Sequence, residues 1–365
     1  MPLIWRYLLK SYFQVFFLSL SGFISVLLVT RFQEIAKFAA ASGSIISIIL
    51  FTLYQIPYIL PLAVPISCLI SAILLLQKLS HTQELTALRA SGMGLMPIAF
   101  PLMTAGMLLG FLNFVVASEL APYSRGLSKK LVFDLVSTNP LVILQKDTVI
   151  KMSGIYADMK NIKEGQQAKD VTIITKNSSN DRLSLMTAKE LYVIDNLLFG
   201  KDVSFISSFD SKKEDCFDHI LIENQNEMNT KSSNVTQHMQ TADWIKGTDY
   251  LPLKLLLAKQ VLEKKSEFTI SKKAIIEIAK RVTLGIAAFT FTLIGVAYGL
   301  EVGRQKRKKG IIQACLLASF FMICFVATKS LKGSPFIACM AYLLPHPIIF
   351  MFCLRNMRQV SRGLE

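Results

Sequence analysis

Residues 38–77 read FAAASGSIISIILFTLYQIPYILPLAVPISCLISAILLLQ, 40 positions without a single Asp, Glu, Lys or Arg. A bilayer core about 30 Å thick is crossed by roughly 20 apolar residues at about 1.5 Å of rise each. This window therefore reads as a membrane segment too long for one straight crossing. Working outward, five more windows lack the four charged residue types: Ser11–Thr30, Ala90–Ser118, Val282–Leu300, Gly310–Thr328 and Gly333–Leu354, of 20, 29, 19, 19 and 22 residues. Only 18% of the chain is charged, against about 25% in an average soluble protein. Disorder and fibrous repeats are excluded, and the expectation is six transmembrane helices, three on each side of a polar insert.

Pro57, Pro61 and Pro65 punctuate the long window, and proline breaks or kinks a helix. Two readings stand. One divides the window into an interfacial or re-entrant helix near Ile45–Tyr58 and a membrane helix near Pro61–Leu76. The other keeps one tilted, kinked helix.

The net charge of +15 does not describe a nucleic-acid binder, because it is not concentrated on a soluble domain. Between Glu119 and Lys273 there are 22 basic and 20 acidic residues. The excess sits at the ends of the apolar windows, where lipid head groups lie. The N-terminus (Arg6, Lys10), the second–third connection (Lys78, Arg89), the fourth–fifth connection (Arg304, Lys306, Arg307, Lys308, Lys309) and the C-terminus (Arg355, Arg358, Arg362) carry 12 basic residues. The short loops of the opposite side carry four: Arg31, Lys37, Lys329 and Lys332. By the positive-inside rule both termini are cytoplasmic and the insert is external. No small-residue cleavage site follows the first window, so it reads as a span and not a removable leader.

Cys68, Cys315, Cys324, Cys339 and Cys353 lie in apolar windows and Cys216 is alone in the insert, which excludes a disulfide scaffold. His81, His219, His238 and His346 are scattered, with no zinc spacing, and no phosphate-binding P-loop occurs. No catalytic or metal-binding set emerges.

The insert reads as short strands: Val142–Leu144, Val149–Met152, Val171–Thr175, Leu183–Met186, Leu191–Ile194, Leu197–Phe199, Val203–Phe209 and Ile220–Ile222. Asp195-Asn196 has the composition of a tight hairpin turn. Such a set is compatible with a sandwich, a jelly roll or an open barrel. Residues 226–243 read as a loose polar stretch, and Leu251–Lys265 as a helix. The resulting division is 1–118 for the first three spans, with a cytoplasmic helix at about 80–92; 119–250 for the β domain; 251–274 for a connecting helix; and 275–365 for the last three spans and cytoplasmic C-terminus.

The connection Lys78–Gly92 should form a short helix, with Thr82 capping its start, Glu84 at the positive end of its dipole and Gly92 ending it. Leu85 and Leu88 share a face. Such a helix suits docking into a partner's groove, or lies on the lipid as a solvated connector.

The run Glu84-Leu85-Thr86-Ala87-Leu88-Arg89-Ala90-Ser91-Gly92, following a proline-containing second span, resembles the lipopolysaccharide export permeases LptF and LptG. The order of three spans, external β domain and three spans is similar to that family from end to end. The resemblance implies an α-helical membrane protein with six transmembrane helices and an inserted periplasmic β-jellyroll. It implies a bacterial inner-membrane location and a transporter role without catalysis. The chain would pair with a second permease of the family on a dimeric LptB-like ABC ATPase, which holds the ATP and Mg; no cofactor belongs to this chain. Lipopolysaccharide would pass through the β domain to LptC- and LptA-like jellyroll bridge proteins. Glu84, Leu85, Leu88 and Arg89 would couple to the ATPase. Arg31, Lys37, Lys329 and Lys332 would meet lipopolysaccharide phosphates, or else simply reach the lipid interface. The alternatives are a membrane-anchored adaptor with a protein-binding β domain and a different lipid or lipoprotein ABC permease.

Overall fold

The computed structural model describes residues 3–42, 44–138, 150–152, 155–163, 167–176, 183–194, 197–209, 219–231, 248–262, 268–300, 308–328 and 335–361. Among the described residues six helical stretches are long and apolar enough to cross a membrane, three before the insert and three after it. The fold is thus a helical membrane protein with an inserted antiparallel sheet. In chain order the helices are α1 (Leu3–Thr30), α2 (Phe32–Ala41), α3 (Ile45–His81), α4 (Glu84–Ala90), α5 (Leu95–Val115) and α6 (Ala121–Thr138). After the sheet come α7 (Leu253–Leu262), α8 (Phe268–Gly299), α9 (Lys308–Thr328), α10 (Pro335–Leu343) and α11 (Pro345–Ser361). A π-helical turn, Val116–Leu120, joins α5 to α6. Charge marks where a span meets water but not where its helix ends: α6 runs 20 residues past the charge-free window that closes at Ser118, to Thr138.

Of the two readings of the long window, the single helix is observed. α3 runs unbroken from Ile45 to His81 with all three prolines inside it. Each proline removes one rung of the helical ladder, leaving the carbonyl four residues earlier without its usual donor. For Pro65 that carbonyl is Pro61 O. Asn113 of α5, only 1% exposed, donates Nδ2 to it at 3.1 Å and to Leu284 O of α8 at 2.7 Å. In a medium without water this satisfies a buried acceptor that the sequence itself created.

The chain divides into two compact units. In the first, residues 1–33, 52–125 and 248–365, the core lies where α3, α5 and α8 pack together around Cys68, Ala72, Leu76, Ile98, Leu102 and Phe291. Small residues let the backbones touch. A Cβ added at Gly110 would lie 2.8 Å from Gly285 O, and one at Gly295 would lie 2.6 Å from the Ala72 Cβ.

In the second unit, residues 34–51 and 126–247, Phe38 and Phe51 stack at 4.3 Å. The sheet is an antiparallel meander in the order β1 (Ile150–Met152), β2 (Ile155–Lys163), β3 (Gln167–Lys176), β4 (Leu183–Ile194), β5 (Leu197–Phe209), β6 (His219–Lys231). Several expected short strands are halves of longer ones. Leu183–Met186 and Leu191–Ile194 are both β4, and Leu197–Phe199 and Val203–Phe209 are both β5. Pairing of Ile194 with Leu197 leaves the two residues Asp195-Asn196 as the link between them; they, like Val142–Leu144, lie outside the described residues.

The expectation of a loose stretch from residue 226 is corrected: residues 226–231 complete β6, which pairs with β5 along its length. Most of β6 is exposed, so its polarity reflects a solvated face and not a missing strand. Residues 232–243 lie outside the described residues. Of the expected helix Leu251–Lys265, the described part is α7.

The split readings share one cause. Asp170 and Asp202, each with φ of 50°, lie on either side of Lys189 across three strands, and Lys189 pairs with Asp202 at 3.6 Å. Left-handed backbone is tolerated by aspartate better than by most residues. Along this row the buried face changes parity. Ala168 and Val171, Ala188 and Leu191, and Gly200 and Val203 are all buried, each pair three residues apart where strict alternation allows only two.

Candidate functional site

A cavity of about 740 Å³ opens in the first unit between the C-terminal end of α1 and residues of α3, α6, α8, α9 and α10. Leu27, Ile59, Leu62, Leu284 and Phe325 give it apolar walls. Four basic side chains, Arg31, Arg125, Lys273 and Lys280, face two acidic ones, Asp249 and Glu277. An apolar chamber with a cationic excess fits a ligand that is both greasy and anionic.

Tyr58 organises the two arginines. The guanidinium of Arg125 lies 4.2 Å from the Tyr58 ring centre and donates Nη2 to the Tyr58 hydroxyl at 3.1 Å. Arg31 lies 5.1 Å from the same ring centre. Tyr250 takes another face of Arg125 at 5.3 Å, and Asp249 approaches its Nη1 at 3.6 Å. Cation–π contact holds an arginine in place without consuming all its donors.

On α8, residues 273 and 280 are two turns apart and both line the chamber. Glu277 between them is held by Lys280 Nζ at 2.9 Å and by Arg281 Nε at 3.3 Å. Arg281 itself is 2% exposed. It donates Nη1 to Ser118 O in the π-helical turn at 3.2 Å, and Nη2 to Leu251 O at 2.9 Å. A π turn displaces carbonyls from the regular ladder, and the guanidinium collects one of them.

Of the four expected phosphate contacts, Arg31 lines the cavity. Lys37 is an exposed residue of α2 in the second unit. Lys329 and Lys332 lie outside the described residues; Thr328, which ends α9, lines the cavity. Arg125, Lys273 and Lys280 were not anticipated: Arg125 and Lys273 belong in sequence to the balanced charge of the insert, and Lys280 to the approach of the fourth span. The seven-residue spacing of Lys273 and Lys280, on one helical face, is the signal that could have found them.

The expected short helix is present as α4. Gln83, with φ of 60°, precedes it and gives no side-chain cap. Thr82 is not the cap expected: its one hydroxyl proton is shared between two acceptors, Lys78 O and Glu84 Oε1, each at 3.0 Å. Tyr7 of α1 donates to Glu84 Oε2, also at 3.0 Å. The helix closes as expected at Gly92, φ 84°, through bonds from Gly92 N to Arg89 O and Met93 N to Leu88 O. Leu85 is 1% exposed and belongs to the helical core, with Leu88 packed against it. Within this chain Leu85 anchors α4 to the core, leaving Glu84 and the half-buried Arg89 nearer the surface.

Comparison with curated proteins finds no match. The chain matches the family described as lipopolysaccharide export system permease LptF/LptG over residues 6–359. That is nearly its whole length, and with six spans it is a multi-pass membrane protein belonging to the LptF/LptG permease family.

Proposed function

We propose that this chain is a non-catalytic permease subunit that lifts lipopolysaccharide out of the bacterial inner membrane, driven by ATP hydrolysis on a separate dimeric ABC ATPase. The observation that carries this reading is the cavity, apolar walled yet lined by Arg31, Arg125, Lys273 and Lys280. Lipid A presents acyl chains and phosphates together. Charge-assisted bonds from arginine and lysine to phosphate are among the stronger polar contacts, about 1.5–3 kcal/mol each. Both termini and α4 face the cytoplasm in this reading, and the sheet is periplasmic. A second permease of the family completes the transmembrane pair, and LptC- and LptA-like jellyroll proteins receive the lipid. Lys37, Lys329 and Lys332 are retained as further phosphate contacts.

Glu84 carries the coupling, with Arg89 beside it. Its two carboxylate oxygens already receive Thr82 and Tyr7, so a push on Glu84 is delivered to α1 as well as to α4. Leu85 and Leu88 transmit that push into the core instead of meeting the ATPase directly.

The test is reconstitution of the chain with the ATPase and second permease in proteoliposomes, reading ATP-dependent release of lipopolysaccharide to a soluble jellyroll acceptor. Release that needs ATP supports the reading, and its absence with an assembled, ATP-hydrolysing complex refutes it. In the same assay Glu84→Ala should leave the complex purifiable while release per ATP falls roughly tenfold or more, the equivalent of about 1.4 kcal/mol. Wild-type release from Glu84→Ala would remove Glu84 from the coupling path.

A further inference from the structure

The two carboxylates of the cavity are held in different ways. Glu277 is locked between two cations at 2.9 and 3.3 Å, with 11% of its side chain exposed. Asp249 touches Arg125 once, at 3.6 Å, with 49% of its side chain exposed. That distance exceeds the roughly 2.7–2.9 Å of a strong charge-assisted bond, and exposed pairs of this kind contribute little to stability. Arg125 does not depend on Asp249 for its position, because Tyr58 holds it by ring and hydroxyl and Tyr250 by a second ring.

We propose that Asp249 is a resident counter-anion for Arg125, an internal stand-in that the phosphate of an anionic lipid displaces when it enters the cavity. The inference rests on the phosphate-lipid reading of this site and adds a residue that works against binding. A phosphate brings more negative charge than a carboxylate and matches the guanidinium fork with two oxygens, so the exchange runs toward phosphate. Tyr58 keeps the guanidinium in place while its partner changes. The displaced carboxylate belongs to the single-turn helix Thr248–Tyr250. Downstream of it Leu251 is pinned through its carbonyl to Arg281 at 2.9 Å. Release of Asp249 therefore leaves Leu251 anchored to α8 through Arg281.

The experiment measures binding of phosphorylated lipid A, and of the same lipid with its phosphates removed, to the permease complex in nanodiscs. Asp249→Asn should bind the phosphorylated lipid about two- to fivefold more tightly than wild type, with no change for the dephosphorylated lipid. Asp249→Glu should remain near wild type, and the gain should vanish when Asp249→Asn is combined with Arg125→Gln. An equal gain for both lipids, or none for the phosphorylated one while wild type still prefers it, overturns the displacement. If wild type shows no preference for phosphate, the reading of the cavity itself fails as well. Inorganic phosphate is the third probe: an Asp249→Asn gain seen with phosphate alone and not with lipid would assign Arg125 to a free anion and overturn the lipid assignment.

Discussion

Arg281→Met should lower the stability of the helical unit by about 3–5 kcal/mol, the range for breaking a buried ion pair from one side. The guanidinium is 2% exposed, and its removal leaves Glu277 with Lys280 alone and deprives Ser118 O and Leu251 O of their donor. Three consequences arrive together: a poorly compensated carboxylate, a buried acceptor in the π-helical turn and a part-buried one at Leu251. Thermal unfolding of the detergent-solubilised protein, followed by loss of monodisperse material, reads the effect. Arg281→Lys should recover the charge but not both carbonyl bonds, and so fall between wild type and methionine. The double variant Glu277→Gln with Arg281→Met should be milder than Arg281→Met alone, because the orphaned charge goes with its partner. A methionine variant as stable as wild type would show that the network does not hold the unit together.

The second large effect is expected at the contact of α5 with α8. At Gly110 an added Cβ would meet the Gly285 carbonyl oxygen at 2.8 Å. The obstacle is backbone, which cannot rotate aside, so Gly110→Leu must push two membrane helices apart and disturb the Asn113 bond to Leu284 one turn away. The cost should reach or exceed the upper end of the usual overpacking range, about 3 kcal/mol. Gly22→Leu is the control, since nothing lies within 4 Å of the position its Cβ would take. Equal yields and equal melting of the two variants would contradict the close packing described.

How far the fold could be read beforehand differs from segment to segment, for identifiable reasons. The spans were legible because excluding charge from hydrocarbon is a local rule, written residue by residue. Continuity of α3 through Pro57, Pro61 and Pro65 was not, because a carbonyl they free, Pro61 O, is answered by Asn113, 52 residues away in sequence. In the insert, alternation predicts strands well until its phase slips. The slip at Asp170, Lys189 and Asp202 made two long strands look like four short ones. β6 is hard to read beyond Ile222 because among residues 223–230 only Met228 is buried. At the site, Arg31 was legible from its place at the end of an apolar window. Arg125, Lys273 and Lys280 become neighbours of it only when the chain returns from the insert. Thr82 was misread as a cap because its hydroxyl had a competing acceptor in the preceding turn, a choice that composition does not reveal.

Prolines four residues apart in α3 omit successive rungs on nearly one side of the helix, at the carbonyls of Leu53, Pro57 and Pro61. Among the described residues a side-chain donor reaches the last, Pro61 O, and not the other two, so flexural stiffness is uneven along this rod: clamped at Pro61 and compliant for the two turns before it. Tyr58 rides on the compliant stretch, immediately before the clamp, and carries two guanidinium groups, Arg31 from the turn between α1 and α2 and Arg125 from α6. The bonds missing at Leu53 and Pro57 make this the stretch where α3 bends most easily, so the aromatic pivot sits on the softer part of the rod while the packed interior lies beyond the clamp.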